Sequence, residues 1–232
     1  MTEIDPIDVE SMTLDPPGTI VVLGAGPTGI EAALYGRFLG YDVTLGDPRG
    51  IAKCWRSSSD DELPVAPEQC LSPLAKSALR AQRSEELDIT LPTTASAWID
   101  DFLTPLTESD LLLGRLVISA VESIDQVPVE SDTEEEAASE DSETVDADQL
   151  PPDFLVTYAD GTTTKCEAVI VTPDAGELPV TFALPTEYWF AIDPDDQASA
   201  GDALLAQRRR IVQIYAILAG RGDLDLYRPV RL

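Results

Sequence analysis

Residues 19–29 read TIVVLGAGPTG, a stretch that restricts the possible folds more than any other part of the chain. The run 19–23 is apolar and rich in β-branched residues, without the alternation of a half-exposed strand. It therefore predicts a central parallel strand covered on both faces. Three glycines follow, at Gly24, Gly26 and Gly29. Beyond them Ile30, Ala33, Leu34 and Phe38 recur at helical spacing, and Gly40 is placed to end that helix. Residues 42–45, DVTL, read as a second strand, so a β-α-β unit is complete by residue 47.

Between a strand and a helix, the pattern G-x-G-x-x-G has a mechanical meaning. Gly24 permits a tight turn, Gly26 leaves bare backbone for a pyrophosphate to approach, and Gly29 lets helix and strand pack closely. The helix N-terminus then faces the anion with unpaired N–H groups. Asp47, eighteen residues after Gly29 at the end of the second strand, is positioned to accept hydrogen bonds from ribose hydroxyls. The same carboxylate would repel a 2′-phosphate, which disfavours NADP. FAD or NAD remains as the expected cofactor. The expected contact set is Gly24, Gly26, Pro27, Thr28, Gly29 and Asp47.

Further along, residues 73–83 predict a helix with Ser72 as cap and Pro73 in its first turn. Thr94 is placed to cap another, with Trp98, Phe102 and Leu103 on one face. Residues 112–124 contain a strand, LVISAVESI, matched by strands at 154–158 and 167–172, with Asp160-Gly161 as an intervening turn. Residues 202–219 predict a terminal helix with an apolar stripe of Leu204, Ile211, Tyr215 and Leu218, ended by Gly220. The expected fold is α/β: a Rossmann-like parallel sheet, a small β-meander and a C-terminal helix.

Residues 1–17 read as a flexible N-terminal arm, leaving 18–232 as one domain. Residues 130–148 hold ten acids and no base, and self-repulsion predicts a disordered acidic loop at 130–149 inside the meander. Such a loop could be merely solvated, or could dock a basic protein partner. The arginine triplet 208–210 reads as surface charge.

A net charge of −28 argues against nucleic acid or an anionic membrane as partner. No long apolar run exists and the first residues are acidic, so a cytoplasmic location is expected. Histidine is absent, which excludes Ser/His/Asp and Cys/His relays and the usual zinc sites. Cys54, Cys70 and Cys166 form no paired motif, and no metal site is expected. No residue has a spacing that assigns it a catalytic role.

The stretch VVLGAGPTGIEAALYGRFLGYDVTL resembles the amino-terminal FAD-binding unit of flavin-dependent pyridine-nucleotide oxidoreductases and flavin-containing monooxygenases. FLVTYADGTTTKCEAVIVT is similar to the β-meander and following strand of that family, and QIYAILAGRGDLDLYRP looks like the tail of some bacterial members. The resemblance implies FAD taking a hydride from a nicotinamide held by a second glycine-rich unit. The sequence departs from the family in three places. Where Ala-Thr-Gly is expected it has Thr172-Pro-Asp-Ala-Gly176, which puts an acid towards an anionic cofactor. No second glycine-rich unit follows, and no late Gly-Asp is found between a strand and a helix. The expectation is a shortened, degenerate relative: FAD- or NAD-binding and oxidoreductase-like, or alternatively an inactive binding or regulatory module.

Overall fold

The computed structural model describes residues 13–56, 63, 65–82, 92–128, 151–194 and 198–228, with the backbone alone at Cys54. The acidic stretch 130–149 and residues 1–12 lie outside the described residues.

The apolar run becomes strand β1 (Thr19–Leu23), with α1 (Pro27–Leu39) and β2 (Asp42–Gly46) completing the β-α-β unit. β1 pairs in parallel with β2 on one side and with β7 (Ala168–Val171) on the other. Two short strands, β3 (Leu116–Val117) and β8 (Trp189–Ala191), extend the sheet to the order β3-β2-β1-β7-β8, all parallel. β4 (Val121–Val127), β5 (Asp153–Tyr158) and β6 (Thr163–Cys166) form a separate antiparallel sheet. This is an α/β, Rossmann-like fold with a small meander and a C-terminal helix, α7 (Ala200–Leu218).

The central strands are apolar throughout because both of their faces are covered. Ile20, Val22, Ala168 and Ile170 point into a cluster with the helices. Val21, Leu23 and Val169 point the other way, against Ile124, Phe154, Val156 and Tyr158 of the small sheet. The molecule thus has three layers: helices, parallel sheet and meander.

α1 carries the close packing. Its Pro27–Gly36 segment is buried throughout. α7 lies across it, with Tyr215 stacked on Tyr35 at 5.2 Å between ring centres, and the Tyr215 hydroxyl donates to the Ala32 carbonyl at 2.9 Å. A Cβ at Gly36 would lie 2.9 Å from a Val43 methyl and would strike the Tyr215 hydroxyl, so α7 seats closely on α1 only where this residue is glycine. α1 ends at Gly40, at φ 97°.

α4 (Pro73–Gln82) begins where expected, its Ser72 hydroxyl accepting the Ala75 N–H at 2.9 Å. α5 (Ala95–Trp98) is capped by Thr94 and runs through a π-turn at Ile99–Leu103 into α6 (Thr104–Thr107), burying Trp98, Phe102 and Leu103. α2 (Lys53–Arg56) and α3 (Pro67–Cys70) lie in a stretch with no readable periodicity.

Three readings need correction. LVISAVESI is not one strand: β3 joins the parallel sheet beside Leu45 and Gly46, and the chain turns before β4 enters the meander. Residues 168–171 pair with β1 rather than with the meander. Leu14, inside the segment read as a loose arm, is buried, and its N–H donates to Leu218 while its carbonyl accepts from Tyr41.

Candidate functional site

In a parallel sheet all strands end at the same edge, and ligands bind in the crevice where successive connections leave in opposite directions. Here that point lies between β1 and β7: from β1 the chain moves outward through β2 and β3, then returns to β7 on the other side. The glycine loop after β1 and the 172–176 turn after β7 meet there.

Each glycine has an identifiable reason. Gly24 sits at φ 97°, and a side chain there would collide with the Thr172 hydroxyl and approach the Ala175 nitrogen to 2.7 Å. A Cβ at Gly29 would run into the carbonyl oxygen of Gly24, so the first turn of α1 lies directly on the loop. Gly26 is the N-cap of α1, in extended backbone and without a side-chain cap, and Pro27 follows at the first helical position. The first-turn amides are therefore left to whatever anion stands before them.

An acid of the chain lies against this N-cap. A Cβ at Gly26 would fall on the carboxylate of Asp174. The backbone approach left open by the second glycine is taken by Asp174, the acid of the turn after β7. The turn holding it is fastened to β1 at its first residue and closed on itself. Thr172 donates from its N–H to the Leu23 carbonyl at 3.0 Å and from its hydroxyl to the same carbonyl at 2.9 Å, while Ala175 N–H donates back to Thr172. The Arg49 guanidinium donates to the Asp174 carbonyl.

Asp47 follows β2 as expected, but its side chain is buried and turned towards the loop. Its carboxylate accepts the Ala25 N–H at 3.0 Å and the Arg49 N–H at 2.8 Å, and pairs with the Arg49 guanidinium at 3.2 Å. The carboxylate thus braces the glycine loop. Thr28 donates its hydroxyl to Gln207 of α7, so the first turn of α1 is tied to the terminal helix as well as to the sheet.

Beside Pro27 and Thr28 lies a cavity of about 180 Å³, walled by Trp55, Trp98, Leu204 and Asp174. Sites for cofactors usually enclose about 300–1,000 Å³. The loop has the chemistry for a diphosphate: bare backbone, an uncapped helix N-terminus and an anion already in place. The cavity beside it is smaller than such sites usually are, and Asp174 forms part of its wall. A larger groove of about 510 Å³ lies away from the loop, between β8 and the end of α7, walled mainly by Tyr188, Trp189, Phe190 and Ile217.

Arg49, Gln207 and β8 were not found from the sequence. Arg49 was signalled by its place two residues after Asp47, and Gln207 by its position between Leu204 and Ile211 on the packed side of α7. β8 supplies the late strand-to-helix connection that the sequence seemed to lack: Ile192-Asp193-Pro194 follows it, the Ile192 N–H donates to Val171 at 2.8 Å, and α7 begins a few residues on.

Burial pushes the Cys70 thiol up to about 11 and the Cys166 thiol up to about 12. Neither offers a thiolate at neutral pH. Among the described residues no cluster of acidic or thiol side chains could hold a metal ion, and no helix is long and apolar enough to cross a membrane.

The fold and loop define a Rossmann-like unit built around a G-x-G-x-x-G turn. No family model matches the chain, and no curated protein matches it in sequence. Among solved structures it is similar to FAD- and NADP-dependent monooxygenases and to thioredoxin-reductase-like oxidoreductases. An oxidised steroid monooxygenase bound to NADP is 16% identical over 67% of this chain and 25% of its own, with a TM-score of 0.45. Thioredoxin reductase from Lactococcus lactis is 12% identical over 67% of this chain and 35% of its own, with a TM-score of 0.38. Bacillithiol disulfide reductase from Staphylococcus aureus is 10% identical over 69% and 38%, with a TM-score of 0.35. The matched region thus spans between 25% and 38% of the length of these three structures.

Proposed function

We propose that the chain is a dinucleotide-binding unit of the flavin- and nicotinamide-dependent oxidoreductase type, taking FAD or NAD at the glycine loop. One observation carries this reading: the bare Gly26 backbone and the uncapped N-terminus of α1 stand together at the crevice between β1 and β7, with the Asp174 carboxylate lying against Gly26. Gly24, Gly26, Pro27, Thr28 and Gly29 would form the cradle, and Asp47 would support it from behind through Ala25. FAD, when bound, would supply the redox chemistry.

The experiment is calorimetric titration with FAD and with NAD, beside the absorption spectrum of purified protein before and after denaturation. Binding of either dinucleotide by the unaltered protein, lost in Gly26→Val while the far-UV circular dichroism is kept, is the expected result. Unchanged affinity in Gly26→Val would remove the assigned site.

The Asp174 contact also favours a second reading, an inactive relative serving as a binding or regulatory module. Consumption of NADH and NADPH by the purified chain, with FAD in excess and a dye as acceptor, separates the two. Turnover of about 1 per second or more, the ordinary enzyme range, supports the enzyme. No turnover with retained binding supports the module.

A further inference from the structure

We propose that Asp174 acts as an internal gate: its carboxylate stands in for the ligand's diphosphate at Gly26, so a dinucleotide binds only by displacing the 172–176 turn. The inference rests on the dinucleotide reading above and extends it to how that site is regulated.

Four observations converge on it. The carboxylate occupies the position of the missing Gly26 side chain, the point where the loop brings bare backbone to an anion. The place is electrostatically suited to one negative group, because α1 begins there without a side-chain cap. A second negative group cannot share it: two unit charges about 4 Å apart repel by about 4 kcal/mol in partly solvated protein. The turn is also held shut by a cation that is itself committed elsewhere. Arg49 donates to the Asp174 carbonyl and pairs with Asp47, which in turn accepts the Ala25 N–H. The closed turn, the end of β2 and the glycine loop are thereby one connected network. Pro173 and Asp174 also line the small cavity beside Pro27 and Thr28, so displacing the turn enlarges that cavity in the same movement.

A gate of this kind has a definite thermodynamic signature. The apparent affinity is the intrinsic affinity multiplied by the fraction of open molecules. Removing the carboxylate raises that fraction and also removes the repulsion, whereas a residue that helped to hold the ligand would have the opposite effect.

The test is calorimetric titration of the full chain with NAD and with FAD, comparing the unaltered protein, Asp174→Asn, Asp174→Ala and Asp174→Ala with Gly26→Val. Asp174→Ala should bind at least about tenfold more tightly than the unaltered protein, with Asp174→Asn between them, and the double variant should not bind. Asp174→Asn keeps the side-chain size, so the comparison survives if the alanine variant folds poorly. Equal affinities in the unaltered protein and the Asp174 variants overturn the gate and leave the dinucleotide reading standing. Weaker binding in both variants overturns the gate and makes Asp174 part of the binding surface. Absence of binding in every protein overturns the gate and the dinucleotide reading together.

Discussion

Gly26 and Gly29 are three residues apart, yet a methyl group at each meets a different obstacle. At Gly29 it meets the carbonyl oxygen of Gly24, backbone pinned between β1 and α1. At Gly26 it meets the end of the Asp174 side chain, which must be pushed out of the closed turn. Gly29→Ala should therefore destabilise the protein by about 3 kcal/mol, the upper end of the usual cost of overpacking. Gly26→Ala should cost less, about 1–1.5 kcal/mol, as the carboxylate is displaced and the N-cap weakened. Urea unfolding of the two variants checks the ordering, and equal losses would mean that the loop is not packed as described. The positions of these glycines were legible because turn and helix-start chemistry is local. The direction of the Asp47 side chain was not. It depends on the Ala25 N–H and Arg49, partners that are set by the folded loop rather than by spacing.

At the scale of elements, what could be read depended on how much of each element's stability is its own. α7 shows a repeating apolar stripe and a Ser199 cap, and it was found to within two residues of its start. β8 is three residues long, follows Tyr188 at positive φ and has no alternation; it is a strand because β7 pairs with it. The same holds for β3, which pairs only across Leu45 and Gly46. The meander was legible from its strand-like runs and the Asp160-Gly161 turn, but β6 was missed because the longer apolar run after it was read in its place; the chemistry of the small sheet makes a prediction. Burial raises the Tyr158 phenol and the Cys166 thiol to about 12, above their ordinary values of 10.0 and 9.0. The folded state therefore keeps protons that the unfolded chain releases. Their contribution to stability is complete below the ordinary values and is lost as pH rises through them towards about 12. The urea midpoint should hold steady between about pH 7 and 8.5, then fall, and Tyr158→Phe should lessen the fall. A flat profile up to about pH 11 would contradict the burial assigned to these groups.

For the molecule as a whole, the parallel sheet separates two apolar clusters, and the meander closes one face. Val127 and Asp153 are register partners at the adjoining ends of β4 and β5, so the chain leaves and re-enters the small sheet at neighbouring points. Replacing residues 131–147 by a short Gly/Ser connection should change the melting temperature by no more than about 2 °C, because closure entropy depends weakly on loop length. A large loss would show that the acids stabilise the folded sheet. The same three-layer arrangement brings the turn after β7 onto the loop after β1, and this could not be read from either segment alone. Asp174 and Gly26 are far apart in sequence, and their contact depends on β7 pairing beside β1. Hydrogen exchange with and without saturating FAD or NAD reports on both segments at once. The account predicts slower exchange at Ala25, Gly26, Thr28 and Gly29 together with faster exchange at Asp174, Ala175 and Gly176, the ligand entering as the turn is displaced. Protection confined to residues 186–190 and 216–222, with the glycine loop unchanged, would place the ligand in the groove beside β8 and contradict it.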